Sequence, residues 1–291
     1  MYAKLVKTID LACSLGESIL WDARNSRLWL TDILGMEMLC HDTASGVTTR
    51  FVTPEALCAF GLTDDPDIFI AAFATGFAYY APHKNSVAWI NRPPELADGA
   101  LRLNDGRVDP QGRFWCGSLV LDANAASKRT GTLYSLTGDG EVKVHDSGFG
   151  ISNGLCWSPE NNRQYFSDCA TSEVFAYDYE PVSGSISNRK TIAITPAGAS
   201  PDGAITDAEG FIWSAHWGAS EVVRYAPDGR IDDALAVPTA QPTCVAFGGE
   251  GLSNLYVSSA RIGLETTKGQ EQAGHVFVYE VEVRGLPTPF F

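Results

Sequence analysis

The sequence of 291 residues lacks any long apolar segment. No run approaches the about 20 apolar residues that a bilayer-spanning helix requires. The first 18 residues include Lys4, Lys7 and Asp10, so they do not form the apolar core of a secretory signal peptide. These absences predict a cytoplasmic protein without a membrane partner.

Paired cysteines and clustered basic residues are also missing. The seven cysteines are an odd number and include no C-x-x-C pair, which argues against a disulfide framework and against a thiolate zinc site. Lys and Arg total 21 against 35 Asp and Glu, which gives a formal net charge of −14. Such a chain repels phosphate backbones, and no local Lys/Arg cluster reverses the repulsion. We therefore expect no nucleic-acid partner.

Signatures of several common catalytic sites are absent too. The sequence has no G-x-S-x-G nucleophile elbow, no P-loop and no dinucleotide-binding fingerprint. With five histidines in total, a Ser-His-Asp triad has no motif to support it. Helical periodicity is missing as well, so the fold must be built from strands.

The sequence does contain a recurring unit of strands. Six units follow one another at spacings of 41 to 49 residues, a period typical of propeller blades. Their second strands are aromatic or β-branched and then become small or polar. These strands read RLWLTD (27–32), DIFIAA (67–72), RFWCGS (113–118), QYFSDC (164–169), FIWSAH (211–216) and NLYVSS (254–259).

The last unit lacks a fourth strand, and the N-terminus supplies a candidate for it. The segment 4–11 (KLVKTIDL) precedes the first unit, and pairing it beside 276–283 (VFVYEVEV) would close the ring and remove an open sheet edge. We predict an all-β, six-bladed β-propeller with four-stranded antiparallel blades, closed by the N-terminal strand joining the last blade. A single domain is expected to span residues 1–291.

One position recurs in the first strand of every unit, five residues before the turn that follows. Its occupants are Glu17, Phe60, Asn104, Asn153, Asp202 and Thr243. If the first strands line a central channel, the four oxygen donors among these residues meet at one point. Two carboxylates and two amide carbonyls suit one divalent cation such as Ca²⁺, Mg²⁺ or Mn²⁺, with Zn²⁺ and Fe²⁺ as further candidates. No His or Cys shares the position, which argues against a typical zinc site.

Three of these donors also resemble parts of hairpin turns. Asn104-Asp-Gly106, Asn153-Gly154 and Asp202-Gly203 each match a common turn sequence. The phase of the repeat favours another interpretation, because the turn of each unit falls five residues later, as at residues 109–112 and 207–210. We therefore place these pairs at the starts of strands, where Gly lets the backbone bend into the channel.

A cation at this point would support ester hydrolysis. It would polarise a carbonyl oxygen and lower the pKa of a bound water. Asp202 is the candidate general base, since it is the shorter carboxylate and starts a strand after Pro201. A carboxylate that binds metal is a weakened base, so the alternative is that the metal-bound water carries more of the activation.

Further candidates lie where loops would cover the donors. In a four-stranded blade the loops between strands two and three emerge at the end where strand one begins, and the longest of them are 119–130 and 261–273. Arg102 could bind substrate oxygens or be a surface arginine. Asp122 could accept hydrogen bonds from sugar hydroxyls or be an ordinary loop residue. His216 and Trp217 suit packing or a pocket wall better than proton transfer.

Six short motifs resemble those of the gluconolactonase, regucalcin (senescence marker protein) and luciferin-regenerating enzyme family. The match covers essentially the whole chain, with the motifs in order and at family spacing. They are Leu15-Gly-Glu17, Arg102-Leu-Asn-Asp-Gly106, Ile151-Ser-Asn-Gly154, Pro201-Asp-Gly203, Phe247-Gly-Gly249 and Ser259-Ala-Arg261. The resemblance implies a six-bladed propeller with one divalent cation in its channel and hydrolysis of a sugar lactone.

By position, the resemblance also implies roles for individual residues. Glu17, Asn153 and Asp202 would bind the metal directly, and Asp202 would also be the general base. Asn104 would be a metal ligand or a contact through water, and it would also touch the substrate. Arg102 falls on the substrate-binding arginine. Asp122 falls where regucalcin-like members have a glutamate. Because its side chain is shorter, the resemblance does not specify which sugar lactone is the substrate.

The expected function is hydrolysis of a small aldonolactone to the aldonic acid in carbohydrate catabolism, by a monomer or weak homo-oligomer. Two alternatives remain open. The same propeller and cation could serve a phosphotriester or another ester. The chain could also be a non-catalytic calcium-binding or protein-interaction module.

Overall fold

Six antiparallel sheets of four strands each are arranged around a common channel. The computed structural model describes residues 2–121 and 130–291. The first thirteen strands are β1 Ala3–Ile9, β2 Gly16–Asp22, β3 Arg27–Asp32, β4 Glu37–Asp42, β5 Thr48–Val52, β6 Leu57–Leu62, β7 Phe69–Phe73, β8 Gly76–Ala81, β9 Ser86–Asn91, β10 Leu101–Val108, β11 Phe114–Val120, β12 Gly131–Leu136 and β13 Val142–Phe149.

The second half of the chain continues the same pattern. Its strands are β14 Ser152–Trp157, β15 Arg163–Asp168, β16 Glu173–Glu180, β17 Ser185–Ile194, β18 Ser200–Thr206, β19 Ile212–Trp217, β20 Glu221–Tyr225, β21 Ile231–Ala236, β22 Pro242–Gly248, β23 Asn254–Ser259 and β24 Val276–Val281. Three short 3-10 helices complete the described elements: Pro82–Lys84, Pro94–Leu96 and Glu250–Leu252. Within the described ranges, none of the helices has the length and apolarity needed to cross a membrane.

Five blades are formed by consecutive strands and the sixth by both ends of the chain. The sheets are β2–β5, β6–β9, β10–β13, β14–β17 and β18–β21, and the last has the order β22-β23-β24-β1. In this last blade β1 pairs antiparallel with β24, with Leu5 opposite Tyr279 and Ile9 opposite Val276. The predicted six-bladed propeller, with its N-terminal closing strand, is confirmed. β1 thus covers the edge of β24 that would otherwise be unpaired.

The hydrophobic core lies between neighbouring blades. Six clusters of buried side chains occupy the six blade-to-blade interfaces, and each draws residues from two adjacent sheets. The middle strands are therefore buried on both faces, as in β3, where no residue is exposed. The outer strands face solvent, as in β21, where exposed residues alternate with partly buried ones. This explains why the second strand of each unit is so apolar in sequence.

The innermost strands form a closed ring around the channel. β2, β6, β10, β14, β18 and β22 each contact the two inner strands beside them. They all run in the same direction, so their first residues lie at one end of the channel, which we call the front mouth. The opposite end, where each inner strand turns into the second strand of its blade, is the back mouth.

The C-terminal segment 285–291 crosses the back mouth. It begins beside blade five, where Gly285 forms a bridge with Asp207, and reaches blade two, where the backbone nitrogen of Phe291 donates to the carbonyl of Leu62 at 2.9 Å. Thr288 donates from its hydroxyl to the carbonyl of Trp21 at 2.9 Å. The segment thus ties blades on both sides of the channel.

Candidate active site

The four predicted oxygen donors all lie on inner strands near the front mouth. Glu17 is the second residue of β2, Asn153 the second of β14 and Asp202 the third of β18, while Asn104 lies further along, as the fourth residue of β10. All four are buried, with exposed fractions of 4 to 9%. None of them belongs to a hairpin turn, so the placement deduced from the phase of the repeat is correct.

Each donor lies next to an irregularity in its strand. The pairing register shifts between Glu17 and Leu20 in β2, and between Asn153 and Cys156 in β14. Comparable shifts occur between Leu103 and Gly106 in β10 and between Pro201 and Ala204 in β18. A bulge inserts an extra residue and re-aims the side chains around it. The recurring bulges therefore direct polar side chains into an otherwise apolar channel.

Two buried aspartates fix the starts of the donor strands. At the end of β3, Asp32 accepts hydrogen bonds from the backbone nitrogens of Ser14 and Leu15 at 2.8 and 2.9 Å. At the end of β15, Asp168 accepts bonds from the backbone nitrogens of Gly150 and Ile151, both at 2.9 Å. Each aspartate thus holds the backbone two residues before a donor, at Leu15 before Glu17 and at Ile151 before Asn153. Sequence reasoning missed both aspartates, although each closes a second strand that turns polar.

A third buried carboxylate, Asp105, joins Glu17 and Asp202 in the channel. Asp105 is 7% exposed and accepts a hydrogen bond from the backbone nitrogen of Leu155 at 3.2 Å, which ties blade three to blade four. Sequence reasoning passed over it, because alternation along a regular strand places neighbouring residues on opposite faces. Inner strands are covered on both faces by neighbouring blades, so Asn104 and Asp105 are both buried, and β10 has a bulge at this point.

Burial disfavours the charged forms of the three carboxylates and so raises the pKa of each, and repulsion from neighbouring carboxylates adds to the effect at Glu17 and Asp202. Burial raises the pKa of Glu17, and the charge of Asp105 raises it further. Burial also raises the pKa of Asp202 well above its usual range, with added contributions from Glu17 and Asp105. The guanidinium of Arg102 opposes both shifts. A cation placed among these groups would relieve the repulsion, since an opposite charge favours the ionised forms.

A chain of hydrogen bonds links the amide donors to their neighbours. Arg102 donates from Nη1 to Oδ1 of Asn104 at 2.7 Å. Asn104 donates from Nδ2 to the carbonyl of Ser152 at 2.9 Å and to Oδ1 of Asn153 at 3.3 Å. Asn153 in turn donates from Nδ2 to Sγ of Cys169 at 2.8 Å. The amide oxygen of Asn104 is therefore engaged by Arg102, while its nitrogen faces Asn153.

The donor set fits a hard divalent cation. Oδ1 of Asp202 is buried and has no hydrogen-bond partner among the described residues, which is costly unless a cation or water pairs with it. Oxygen ligands from two carboxylates and an amide are typical of Ca²⁺, Mg²⁺ and Mn²⁺ sites. Within residues 2–121 and 130–291, no group of three or more His, Cys, Asp or Glu side chains has an arrangement that could hold a metal ion. Any site here would therefore depend on asparagine oxygens.

Phe60 and Thr243, the two residues at the recurring position that are not predicted cation ligands, support the walls of the channel. Phe60 packs edge-on against Phe69, with ring centroids 5.7 Å apart. Thr243 donates from its hydroxyl to the carbonyl of Gly16, directly before Glu17. Thr243 thus helps to hold the start of β2, and Phe60 contributes an apolar wall.

Of the other predicted residues, Arg102, His216 and Trp217 lie around the front mouth. Arg102 is partly buried and contacts Cys58 through Nη1, with a distance of 3.5 Å to Sγ. His216 is buried and lies 3.1 Å from the hydroxyl of Tyr225, measured from Nε2, which agrees with packing rather than proton transfer. Trp217 ends β19. Asp122 lies outside the described residues.

The loop after β23 lies at the front mouth. The backbone nitrogen of Arg261 bonds to the carbonyls of Cys13 and Ser14 at 3.3 and 3.2 Å, and Leu15 bridges to Ala260. Because Leu15 precedes Glu17 by two residues, this loop reaches the rim of the candidate site. It supports the prediction that the long loop 261–273 borders the donors, whereas most of the other predicted loop, 119–130, lies outside the described residues.

Comparisons with known proteins point to one family. A family model described as the SMP-30/Gluconolactonase/LRE-like region matches residues 15–261. The chain is 38% identical to the L-arabinolactonase of Azospirillum brasilense over 97% of this chain and 93% of that protein. It is 34% identical to the 6-deoxy-6-sulfogluconolactonase of Pseudomonas putida over 95% of this chain and 94% of that protein.

A solved structure with a similar fold belongs to a protein described as regucalcin. The fold is similar to that of a calcium-binding protein, regucalcin, from Agrobacterium tumefaciens, with a TM-score of 0.91 and 28% identity. The similarity covers 99% of this chain and 97% of that one. Residues 15–261, which the family model matches, include all four predicted oxygen donors.

Proposed function

The chain belongs to the SMP-30/gluconolactonase/LRE-like family, and from this premise we propose that it is a carboxylic ester hydrolase that opens a sugar lactone with the help of a divalent cation. The observation that carries the proposal is the buried carboxylate pair Glu17 and Asp202 at the front mouth, with the unpartnered Oδ1 of Asp202. The names of the relatives, L-arabinolactonase and 6-deoxy-6-sulfogluconolactonase, support the same reaction.

In this proposal Glu17, Asn153 and Asp202 hold the cation. When bound, a divalent cation supplies Lewis-acid polarisation of the lactone carbonyl and lowers the pKa of a nearby water. The description of the Agrobacterium protein as calcium-binding supports a cation of this class. Asn104 orients Asn153 through its 3.3 Å bond to Oδ1, and this bond is the basis for giving it a positioning role here.

Asp202 is the proposed general base. Its carboxylate has two oxygens, so one can face the cation while the other accepts the proton of the attacking water. Water adds to the carbonyl carbon, the bond from that carbon to the ring oxygen breaks, and the ring oxygen leaves as a hydroxyl after receiving a proton. Burial of Asp202 keeps bulk water away from the reacting atoms, which strengthens electrostatic interactions among them.

Arg102 is the proposed substrate contact. Its Nη1 donates to Asn104, the carbonyl of Leu103 and Cys58, which holds the guanidinium at the rim. A guanidinium carries five N–H donors, so donors remain for hydroxyl or carbonyl oxygens of a lactone. Asp122 stays a prediction for the same role, since it lies outside the described residues.

A substrate panel tests the proposal. The acid formed by lactone opening is ionised at neutral pH and releases one proton per turnover, so a pH-stat follows the reaction directly. We expect turnover of pentono- and hexonolactones by the metal-loaded protein and none of a dialkyl aryl phosphate. Turnover of the phosphate alone would favour the phosphotriester alternative. Cation uptake without hydrolysis of any ester would favour a non-catalytic module.

A further inference from the structure

A second cavity lies at the back mouth, on the other side of the channel from the candidate active site. Its volume is about 240 Å³. Its walls are mainly apolar, contributed by inner strands from five blades, including Ile19, Val108 and Ile205. The C-terminal segment forms one wall through residues 286–289.

This cavity and the candidate active site use successive residues of the same strands. On β10, Asn104 and Asp105 belong to the candidate active site, and Arg107 and Val108 line the back cavity. None of the four oxygen donors Glu17, Asn104, Asn153 and Asp202 lines the back cavity. The back cavity thus has its own lining, further along the channel than the candidate active site.

Most polar side chains of the back cavity are already engaged by the protein. Ser18 accepts at Oγ from the backbone nitrogen of Phe60 at 3.2 Å. Ser158 donates from Oγ to Oδ1 of Asn162 at 3.1 Å. The hydroxyl of Thr206 donates to a backbone carbonyl of β14. These hydroxyls therefore contribute little toward recognising a ligand.

Arg107 is different because its guanidinium is poorly satisfied. Nε is buried and has no hydrogen-bond partner in the described part of the chain. Nη2 makes a 3.4 Å bond to the carbonyl of Val245 and a 3.7 Å contact with Sγ of Cys244. The charge of Arg107 lowers the pKa of the buried Asp105, but no hydrogen bond joins the two side chains among the described residues. A guanidinium has five N–H donors, and a partly buried one with so few acceptors is costly unless further acceptor oxygens complete it.

We propose that the back cavity binds a small monocarboxylate with an apolar body, whose carboxylate pairs with Arg107. The planar guanidinium matches a carboxylate, and such charge-assisted pairs are strong and directional. The apolar walls formed by Ile19, Val108 and Ile205 suit a hydrocarbon or aromatic body and disfavour a polyhydroxylated sugar acid. The volume is below the about 300–1,000 Å³ of sites for drug-sized molecules, so the ligand is of metabolite size.

Phenylacetate is a suitable probe, with phenylacetamide as its neutral counterpart of the same shape. Isothermal titration calorimetry on the full-length metal-loaded protein should show saturable binding of phenylacetate. Phenylacetamide should bind at least about tenfold more weakly than phenylacetate, because a hydrogen bond between charged groups is stronger than one to a neutral amide.

Variants locate the binding. Arg107→Met should weaken phenylacetate binding about tenfold or more and leave phenylacetamide binding nearly unchanged. Leu286→Trp should block both probes, since it fills the cavity from the C-terminal segment without altering the propeller strands. Arg102→Met, which removes a guanidinium at the front mouth, is the matched control and should leave phenylacetate affinity unchanged. Should Arg107→Met fail to fold, Leu286→Trp still tests the site.

Three outcomes would overturn the proposal. The first is the absence of saturable phenylacetate binding up to about 10 mM. The second is equal affinity for phenylacetate and phenylacetamide, which would show that Arg107 does not distinguish a carboxylate from a neutral amide. The third is unchanged phenylacetate binding in Leu286→Trp together with its loss in Arg102→Met, which would place the probe at the front mouth.

Discussion

Nη1 of Arg102 lies 2.7 Å from Oδ1 of Asn104, to which it donates a hydrogen bond, and this bond turns the amide nitrogen of Asn104 toward Asn153. Arg102 therefore has two tasks in the proposed reaction. It offers remaining donors to the substrate, and it fixes the amide that orients Asn153.

Replacing Arg102 separates these two tasks. Arg102→Met removes both, so we expect kcat/KM for a sugar lactone to fall about 10- to 100-fold, the range for losing hydrogen bonds from a charged group. Arg102→Lys keeps the charge and loses the planar fork, so most of the loss should remain. Steady-state kinetics measure both effects. Wild-type kcat/KM in Arg102→Met would show that this residue neither binds substrate nor positions Asn104.

Asp168 should control cation affinity from a distance. It accepts bonds from the backbone nitrogens of Gly150 and Ile151, which lie three and two residues before Asn153. Asp168→Ala frees that backbone, and we expect cation affinity to fall about 10- to 100-fold, as for other groups that orient a ligand. Calorimetric titration of the metal-free protein measures it. Asp228→Ala, which removes an exposed aspartate paired with Arg230, is the control and should bind the cation as wild type does.

Cys169 should matter through hydrogen bonding and not through redox chemistry. Its Sγ accepts from Nδ2 of Asn153 and donates to the carbonyl of Pro201, both at 2.8 Å, and burial raises the pKa of the thiol well above its usual range. Cys169→Ser keeps an acceptor and a donor and should retain cation affinity within about threefold. Cys169→Val removes both and should weaken it about tenfold. Equal affinities in the two variants would contradict the role.

His145 gives a test of stability far from the channel. Its ring stacks on Trp115 with centroids 4.1 Å apart, and burial, assisted by the charges of Lys143 and Arg113, lowers its pKa to about 4. The unfolded chain protonates this histidine near its usual pKa of about 6.5, so the unfolded state binds more protons between these values. The contribution of neutral His145 is therefore present above pH 6.5 and is lost as the pH falls toward 4.

His145→Gln removes this proton linkage while retaining a hydrogen-bonding group for Ser135, the present partner of Nε2 at 2.7 Å. Chemical denaturation at pH 7.5 and pH 5 should show that the advantage of wild type over the variant shrinks at pH 5 by on the order of 1 kcal/mol. A constant difference would mean that His145 titrates normally in the folded protein.

The sequence predicts the blades well because their causes are local. Strands such as RLWLTD are buried between neighbouring blades, and this requirement is visible in their composition. The N-terminal strand was predictable for a similar reason, since the sixth unit lacked a partner for β24. The oxygen donors were predictable because a repeat keeps equivalent residues in equivalent places.

The details of the site depend on departures from regular strands. Asp105 was missed because it directly follows Asn104, and alternation along a regular strand would point the two side chains in opposite directions, whereas β10 has a bulge at this point. The role of Asn104 was ambiguous because its sequence position does not reveal which amide atom faces Asn153. The segment 285–291 follows no strand period, so its path across the back mouth depends on long-range contacts such as that with Trp21.

The most direct test of the account measures lactone opening as a function of bound cation in wild type, Glu17→Gln and Asp202→Asn. Removing the cation from wild type should abolish turnover, and adding back the preferred cation should restore it. Both variants should keep the thermal midpoint of the metal-free protein or exceed it, since each replaces a carboxyl group that is costly to bury with a neutral amide. Their kcat/KM should fall at least about 100-fold. Full turnover by the metal-free wild type, or by Asp202→Asn, would contradict the account.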